Sequence, residues 1–261
     1  MSERPIRLVT FDLYDTLIEL RPRRWERLAT ALRRLGIAAD PDTLRTADRV
    51  AEDYYTEENG RLPIRDRPRG EREAFRLNYM THWLGAAGLP ADPSTVRAAR
   101  EGYLGEFETP AVANPASGYQ VFDDVLPALA RLRRAGIKRA VISNADADVT
   151  ALCTHLAFAH ELNAIVTSAI VGWEKPDVRT FQAALDPLGV DPSDALHIGD
   201  QPRSDVAGAL ATGMRAVLLD RYGRHDPADI GVPVVRDLGA LVDLVLGGDE
   251  AGRRGGEEAR S

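Results

Sequence analysis

Cysteine is almost missing from these 261 residues. The one thiol, Cys153, cannot close an internal disulfide, and it excludes a zinc site built mainly of thiolates. Lysine is nearly as scarce: of 33 basic residues only Lys138 and Lys175 are lysines, so each ammonium is worth locating. No apolar run is long enough to cross a bilayer, since the longest candidate, Leu162–Trp173, is broken by Asn163, Thr167 and Ser168. The opening residues carry Arg4 and Arg7 and reach Asp12 before any apolar segment of secretory length forms. Basic charge is in deficit as well, 33 residues against 40 acidic ones for a net −7, which disfavours nucleic acid and anionic membrane as partners. There is no Gly-x-x-x-x-Gly-Lys loop, no Gly-x-Gly-x-x-Gly fingerprint and no Gly-x-Ser-x-Gly elbow, so nucleoside-triphosphate, dinucleotide and serine-hydrolase chemistry lack support. The five histidines show no ligand spacing, with His155 and His160 five apart rather than four. These absences leave the cytoplasm as the expected compartment; oligomeric state is not legible.

At 44% apolar and 28% charged residues, what is present is ordinary for a globular chain with ample material for a core. Leu8, Val9 and Phe11 read as a buried strand that stops at Asp12. From residue 19 to 117 the grammar turns helical, with stripes at Trp25, Leu28, Leu32, Leu35 and at Phe75, Tyr79, Met80, Trp83, and nothing strand-like. Arg61–Gly70, with two prolines and four arginines, reads as a loop between helices. Beyond Ser117 helices and short apolar strands alternate. A helix along Phe122–Leu132 with Asp123 or Asp124 as its cap is followed by strands at 140–142, 164–166, 196–198, 216–219 and 232–235. Helices fall at 149–156, 181–188, 205–211 and 238–246. Such alternation implies a doubly wound, Rossmann-like parallel sheet covered by helices on both faces. The expected layout is an α/β core of residues 1–18 and 118–246, an all-helical domain inserted at 19–117, and a disordered tail at 247–261, which lacks large apolar side chains.

In a doubly wound sheet, functional groups collect at the carboxyl ends of the strands. Asp12, Ser143-Asn144 and Gly199-Asp200 follow predicted strands, and Lys175 lies in the loop Gly172–Asp177 before a helix. Taken singly, each reads equally as a cap, a turn or a solvated loop residue; Asp205 alone most simply caps the helix after it. His197, inside a predicted strand, reads as structural. Trp25, Tyr54, Tyr55 and Trp83 read either as pocket lining or as the core of the helical insertion, and the arginines of 61–72 as a connector or as groups facing an anion.

Taken in order, Asp12-Leu-Tyr-Asp-Thr-Leu17, Ile142-Ser-Asn144, Glu174-Lys-Pro-Asp177 and His197-Ile-Gly-Asp-Gln-Pro-Arg-Ser-Asp205 resemble the four motifs of the haloacid dehalogenase superfamily of hydrolases. The resemblance covers the α/β core, and the helical insertion matches that family's cap in position only. It implies Asp12 as nucleophile, Thr16 and Ser143 binding oxygens of the transferred group, and Lys175 holding nucleophile and phosphoryl group together. Tyr14 and Asn144 would border the substrate. Mg²⁺ would be held by Asp12, the Tyr14 carbonyl, Asp200 and Asp205. These residue types suit the chemistry, because a carboxylate repels a phosphate dianion unless a hard cation and a compact positive group neutralise both.

One departure divides the expectations. Phosphatases of that superfamily usually carry a second aspartate two residues after the nucleophile as general acid and base; here Tyr14 stands there, as in its true dehalogenases. The fourth motif points the other way, because those dehalogenases place serine and asparagine where this chain has Asp200 and Asp205. The balance implies an Mg²⁺-dependent phosphatase of small metabolites. The alternatives are a binding protein of little turnover on the same fold and a 2-haloacid dehalogenase.

Overall fold

The computed structural model describes residues 5–105, 118–145 and 147–247. It divides into two compact units: one ends at Glu19 and resumes at Val121, and the other runs Leu20–Gln120. The chain order is β1 (Leu8–Phe11), β2 (Ile18–Leu20), α1 (Arg24–Arg34), α2 (Pro41–Arg61), α3 (Arg69–Ala86), α4 (Pro93–Gly105), β3 (Tyr119–Val121), α5 (Val125–Arg134) and β4 (Lys138–Ser143). It continues through α6 (Thr150–His155), β5 (Ala164–Thr167), α7 (Ser168–Val171), α8 (Val178–Leu188), β6 (Ala195–Gly199), α9 (Ala207–Thr212), β7 (Arg215–Leu219) and β8 (Val234–Val235), and ends in α10 (238–247).

Six strands form a parallel sheet in the order β5-β4-β1-β6-β7-β8. The central strand β1 is buried along its whole length, as a strand covered on both faces must be, and this is why Leu-Val-Thr-Phe shows no polar alternation. Phe181, Ala184 and Leu185 of α8 and Ala209 of α9 cover one face, packed with Leu8, Ile142, Val166 and Leu218 of the strands. Gly189, left-handed at φ 61, ends α8 at the predicted stop. After β1 the chain adds β4 and β5 on one side and then crosses to β6, β7 and β8 on the other. The carboxyl ends of β1, β4 and β6 therefore meet at the switch point where such sheets bind ligands.

In the other unit, α1 buries Trp25, Leu28 and Leu32, and α3 buries Phe75, Met80 and Trp83. Trp83 donates its indole N–H to the Leu44 carbonyl at 2.8 Å, and Tyr54 and Tyr55 pack on the Phe75 ring. Trp25, Phe75 and Trp83 lie in the interior of the helical unit, and Tyr54 and Tyr55 are half-buried. Arg24 bridges α1 to Asp48 (3.1 Å) and Glu52 of α2, and the Tyr79 hydroxyl donates to Glu52 at 2.7 Å. Arg69, Arg72 and Arg76 of α3 border a depression of about 420 Å³ together with Glu73.

Several sequence expectations need correction. Ile18–Leu20 and Tyr119–Val121 form a two-stranded sheet where no strand was expected; Arg21 N–H donates to the Gly118 carbonyl and Phe122 N–H to the Leu17 carbonyl on either side of it. Leu35 falls past the end of α1 and is 42% exposed. Asp124 sits at the N-cap of α5 but makes no cap bond. Its carboxylate instead accepts from Arg221 and from Leu238 N–H. The helix expected from Asp205 starts at Ala207, because Pro202–Val206 forms a wider turn in which the Asp205 and Val206 N–H groups both reach the Gln201 carbonyl. The expected tail lies outside the described residues except Gly247, the last described residue of α10. Among the described residues no helix is long and apolar enough to cross a membrane.

Candidate active site

Four chain segments converge at the carboxyl edge of the sheet. Asp12 directly follows β1, its N–H anchored on the Ile198 carbonyl of β6 at 2.9 Å. Lys175 arrives from the loop between α7 and α8. Its ammonium donates to Asp12 Oδ1 and to Asp205 Oδ1, both at 2.6 Å, with its side chain only 2% exposed. Two of its three N–H bonds are thereby directed at carboxylates. Burial works against the ammonium, but the two carboxylates outweigh it and hold Lys175 above its ordinary value.

Asn144, expected beside the substrate, does something else. Its side-chain amide donates to the Lys175 carbonyl at 3.0 Å and accepts from the Lys175 N–H at 2.8 Å. This two-point clamp on one backbone residue fixes where the lysine emerges, so Asn144 is a positioning residue for Lys175.

Asp205 also departs from expectation. Oδ1 takes Lys175 and His197, and Oδ2 accepts the Gln201 N–H at 2.9 Å. With both oxygens engaged, Asp205 orients the lysine, and a direct bond to a cation would have to break that arrangement. Burial alone would raise its carboxyl, yet Lys175 and His197 prevail and hold it below the usual range. Gly199 permits the close approach: a Cβ there would fall 2.2 Å from the Asp205 carboxyl carbon. Gly199→Ala should therefore cost about 1–3 kcal/mol through overpacking. Urea denaturation measures it, and an unchanged midpoint would contradict this packing.

His197 is the residue that sequence reasoning underrated. It lies opposite Thr10 in the β1–β6 register, with Nδ1 2.8 Å from the Thr10 hydroxyl and Nε2 3.2 Å from Asp205 Oδ1. Because Asp205 is ionised and only accepts, Nε2 carries the proton and Nδ1 accepts from Thr10. Burial, partly offset by Asp205, pushes the imidazole below its ordinary value, and the Phe181 ring packs edge-on against it. The missed signal was a polar residue inside an otherwise apolar strand, directly upstream of Gly199-Asp200.

Thr16 and Ser143 are fully buried, and neither hydroxyl has a hydrogen-bond partner among the described residues. A buried, unsatisfied hydroxyl typically costs ~1–3 kcal/mol, so two of them in the segments that carry the nucleophile and end β4 suit a ligand rich in oxygens. Tyr14 is half-buried and forms an isolated bridge to Ile18. The backbone turns left-handed at Asp15 (φ 57), so the chain after Asp12 does not continue as an extended strand.

Asp200 follows β6 and is almost fully buried. Desolvation pushes its carboxyl well above the ordinary value; Arg224 opposes this, while Asp15, Asp12 and Asp205 add to it. Asp12 is likewise raised, to about 6, by burial and then Asp205, against the pull of Lys175. Four carboxyl groups thus share this pocket of charge with two cationic side chains, Lys175 and Arg224. Fully ionised, they leave two negative charges uncompensated, the deficit one divalent cation cancels. No three His, Cys, Asp or Glu side chains among the described residues make a metal cage by themselves. Mg²⁺ takes one or two carboxylates and keeps waters and substrate oxygens. The donor set fits such an ion at Asp12 and Asp200.

The chain is similar to known proteins along most of its length. The model of the haloacid dehalogenase-like hydrolases matches residues 6–213. The chain is 31% identical over 216 residues to the mouse haloacid dehalogenase-like hydrolase domain-containing protein 3, covering 82% of each. It is 33% identical over 165 residues to a phosphoserine phosphatase of Thermus thermophilus, covering 59% of this chain and 66% of that one. Among solved structures, a 2-haloacid dehalogenase from Pseudomonas syringae superposes with a TM-score of 0.52 at 28% identity, covering 93% of this chain and 98% of that one.

Proposed function

The chain belongs to the haloacid dehalogenase-like hydrolases, and from that premise we propose that it is an Mg²⁺-dependent phosphatase acting on a small phosphorylated metabolite in the cytoplasm. The observation that carries this is the buried bridge from Lys175 to Asp12 and Asp205, 2.6 Å on each side. It supports Asp12 as the group presented to substrate, because Asp205 has both oxygens engaged and serves to hold the lysine. The resemblance to phosphatases, the phosphoserine enzyme among them, supports the same choice.

Asp12, Asp200 and the Tyr14 carbonyl would hold Mg²⁺, which would supply the positive charge needed for an anionic ester to approach an anionic nucleophile. An Asp12 carboxylate oxygen forms a bond to phosphorus while the ester P–O bond breaks and the leaving oxygen takes the electron pair. Lys175, with one N–H not directed at Asp12 or Asp205, balances charge gathering on the phosphoryl oxygens. Thr16 and Ser143 donate their hydroxyls to those oxygens. Water then attacks phosphorus, releasing inorganic phosphate and regenerating the Asp12 carboxylate.

Tyr14 stands where a carboxylic acid would protonate the leaving group, and a positioned acid typically contributes ~10²–10⁴-fold. Esters that leave without protonation should therefore react best. A phosphate-release screen of alkyl and aryl monoesters, run with Mg²⁺ and again with EDTA, tests this. The expected result is Mg²⁺-dependent release, fastest from an activated aryl phosphate. Silence across the whole panel would overturn the assignment, and halide release from 2-chloropropionate would replace it with carbon–halogen cleavage, the reaction in the name of the Pseudomonas relative.

A further inference from the structure

The segment after β7 carries no motif, yet it enters the site at three points. Asp220, buried at the strand end, organises it as a tight turn. Its carboxylate accepts from Arg224 N–H (2.8 Å), His225 N–H (3.1 Å) and Arg236 (3.0 Å), and Gly223 takes the left-handed conformation (φ 68) that the turn requires. The turn projects three side chains onto the first and fourth motifs. Arg221 donates to the Thr16 carbonyl at 2.9 and 3.2 Å, the Tyr222 hydroxyl meets Asp15 Oδ1 at 3.5 Å, and Arg224 Nη2 meets Asp200 Oδ2 at 2.5 Å.

We propose that Arg224 is a positioning residue of the cation site, holding one oxygen of Asp200 so that the other is presented to the divalent ion. This rests on the reading above that Asp200 binds such an ion. Arg224 is 2% exposed in its side chain, and its Nη2 lies on the same Asp200 oxygen that Gln201 Nε2 approaches at 3.3 Å. Both donors therefore converge on Oδ2, and Oδ1 is the oxygen left for the ion. The charge count agrees, since the four carboxyl groups are neutralised only when Lys175, Arg224 and a divalent cation are all present. Arginine suits the task because its planar fork keeps a fixed direction, whereas lysine would supply the charge without the geometry. Partners of this kind fix the orientation of ligating carboxylates, and losing one typically weakens metal binding ~10–100-fold.

Calorimetric titration of the full chain with Mg²⁺, and separately with Mn²⁺, reads the effect without turnover. The wild type should bind one ion, Arg224→Gln should bind it ~10–100-fold more weakly, and Arg224→Lys should fall between. Melting curves show whether each variant folds; if Arg224→Gln does not, Arg224→Lys is judged by the same loss of affinity. An unchanged affinity would make Arg224 merely structural, and a tighter one would make it a competitor of the ion. Either result overturns the inference and leaves the cation reading intact. A wild type that binds neither metal overturns both.

Discussion

Asp12→Asn should reduce phosphate release to the assay background, a loss on the order of 10⁶-fold by analogy with removal of the nucleophile in other covalent hydrolases. Asparagine keeps the shape of the side chain and can still accept from Lys175, but its amide cannot form the phosphoryl bond on which the first half of the reaction depends. The fold should survive. Asp12 is buried and already resists ionisation, so a neutral replacement removes a desolvation cost, and Lys175 keeps its second partner in Asp205. An unshifted melting temperature with no turnover is the expected pair of results. Turnover within tenfold of wild type would remove Asp12 from the role.

Lys175→Met should damage both stability and activity. The lysine is the cation facing Asp12 and Asp205 together at 2.6 Å each, and a methionine fills similar volume while leaving both carboxylates buried without that charge. Breaking a buried ion pair from one side typically costs about 3–5 kcal/mol, which chemical denaturation resolves easily. Loss of a charge aimed at the transferred group should lower turnover by at least about 10²–10³-fold. Addition of Mg²⁺ should restore part of the stability, because the ion binds Asp12, one of the two carboxylates left without the lysine, only in the folded state. A variant as stable as wild type in the absence of metal would mean that Lys175 is not the keystone of this charge cluster.

Much of this arrangement was legible before any coordinates. Buried strands announce themselves as short apolar runs, and Asp12 and Asp200 each interrupt one at its carboxyl end. Lys175 stood out because the chain has so little lysine. What failed to show is what depends on side-chain direction. Asn144 has the composition of a substrate contact, but both ends of its amide are committed to the Lys175 backbone. Asp205 has the composition of a metal ligand, but it faces the lysine and His197. Arg224 is one arginine among many, 24 residues from Asp200, and only the turn built on Asp220 joins the two. The strands β2 and β3 escaped notice because three residues are too few to display a period.

The position of β1 has a consequence for how the chain is made. It is the first strand of the sheet in chain order and lies inside it, yet its neighbours begin at Lys138 and Ala195. At ~5–20 residues per second, roughly 10–40 s separate the emergence of Phe11 from that of Ala195. Until Lys138 emerges neither edge of this apolar strand has its native partner, and one edge stays open until Ala195 follows. Those four residues gain both of their native neighbours only once Ala195–Gly199 has been delivered.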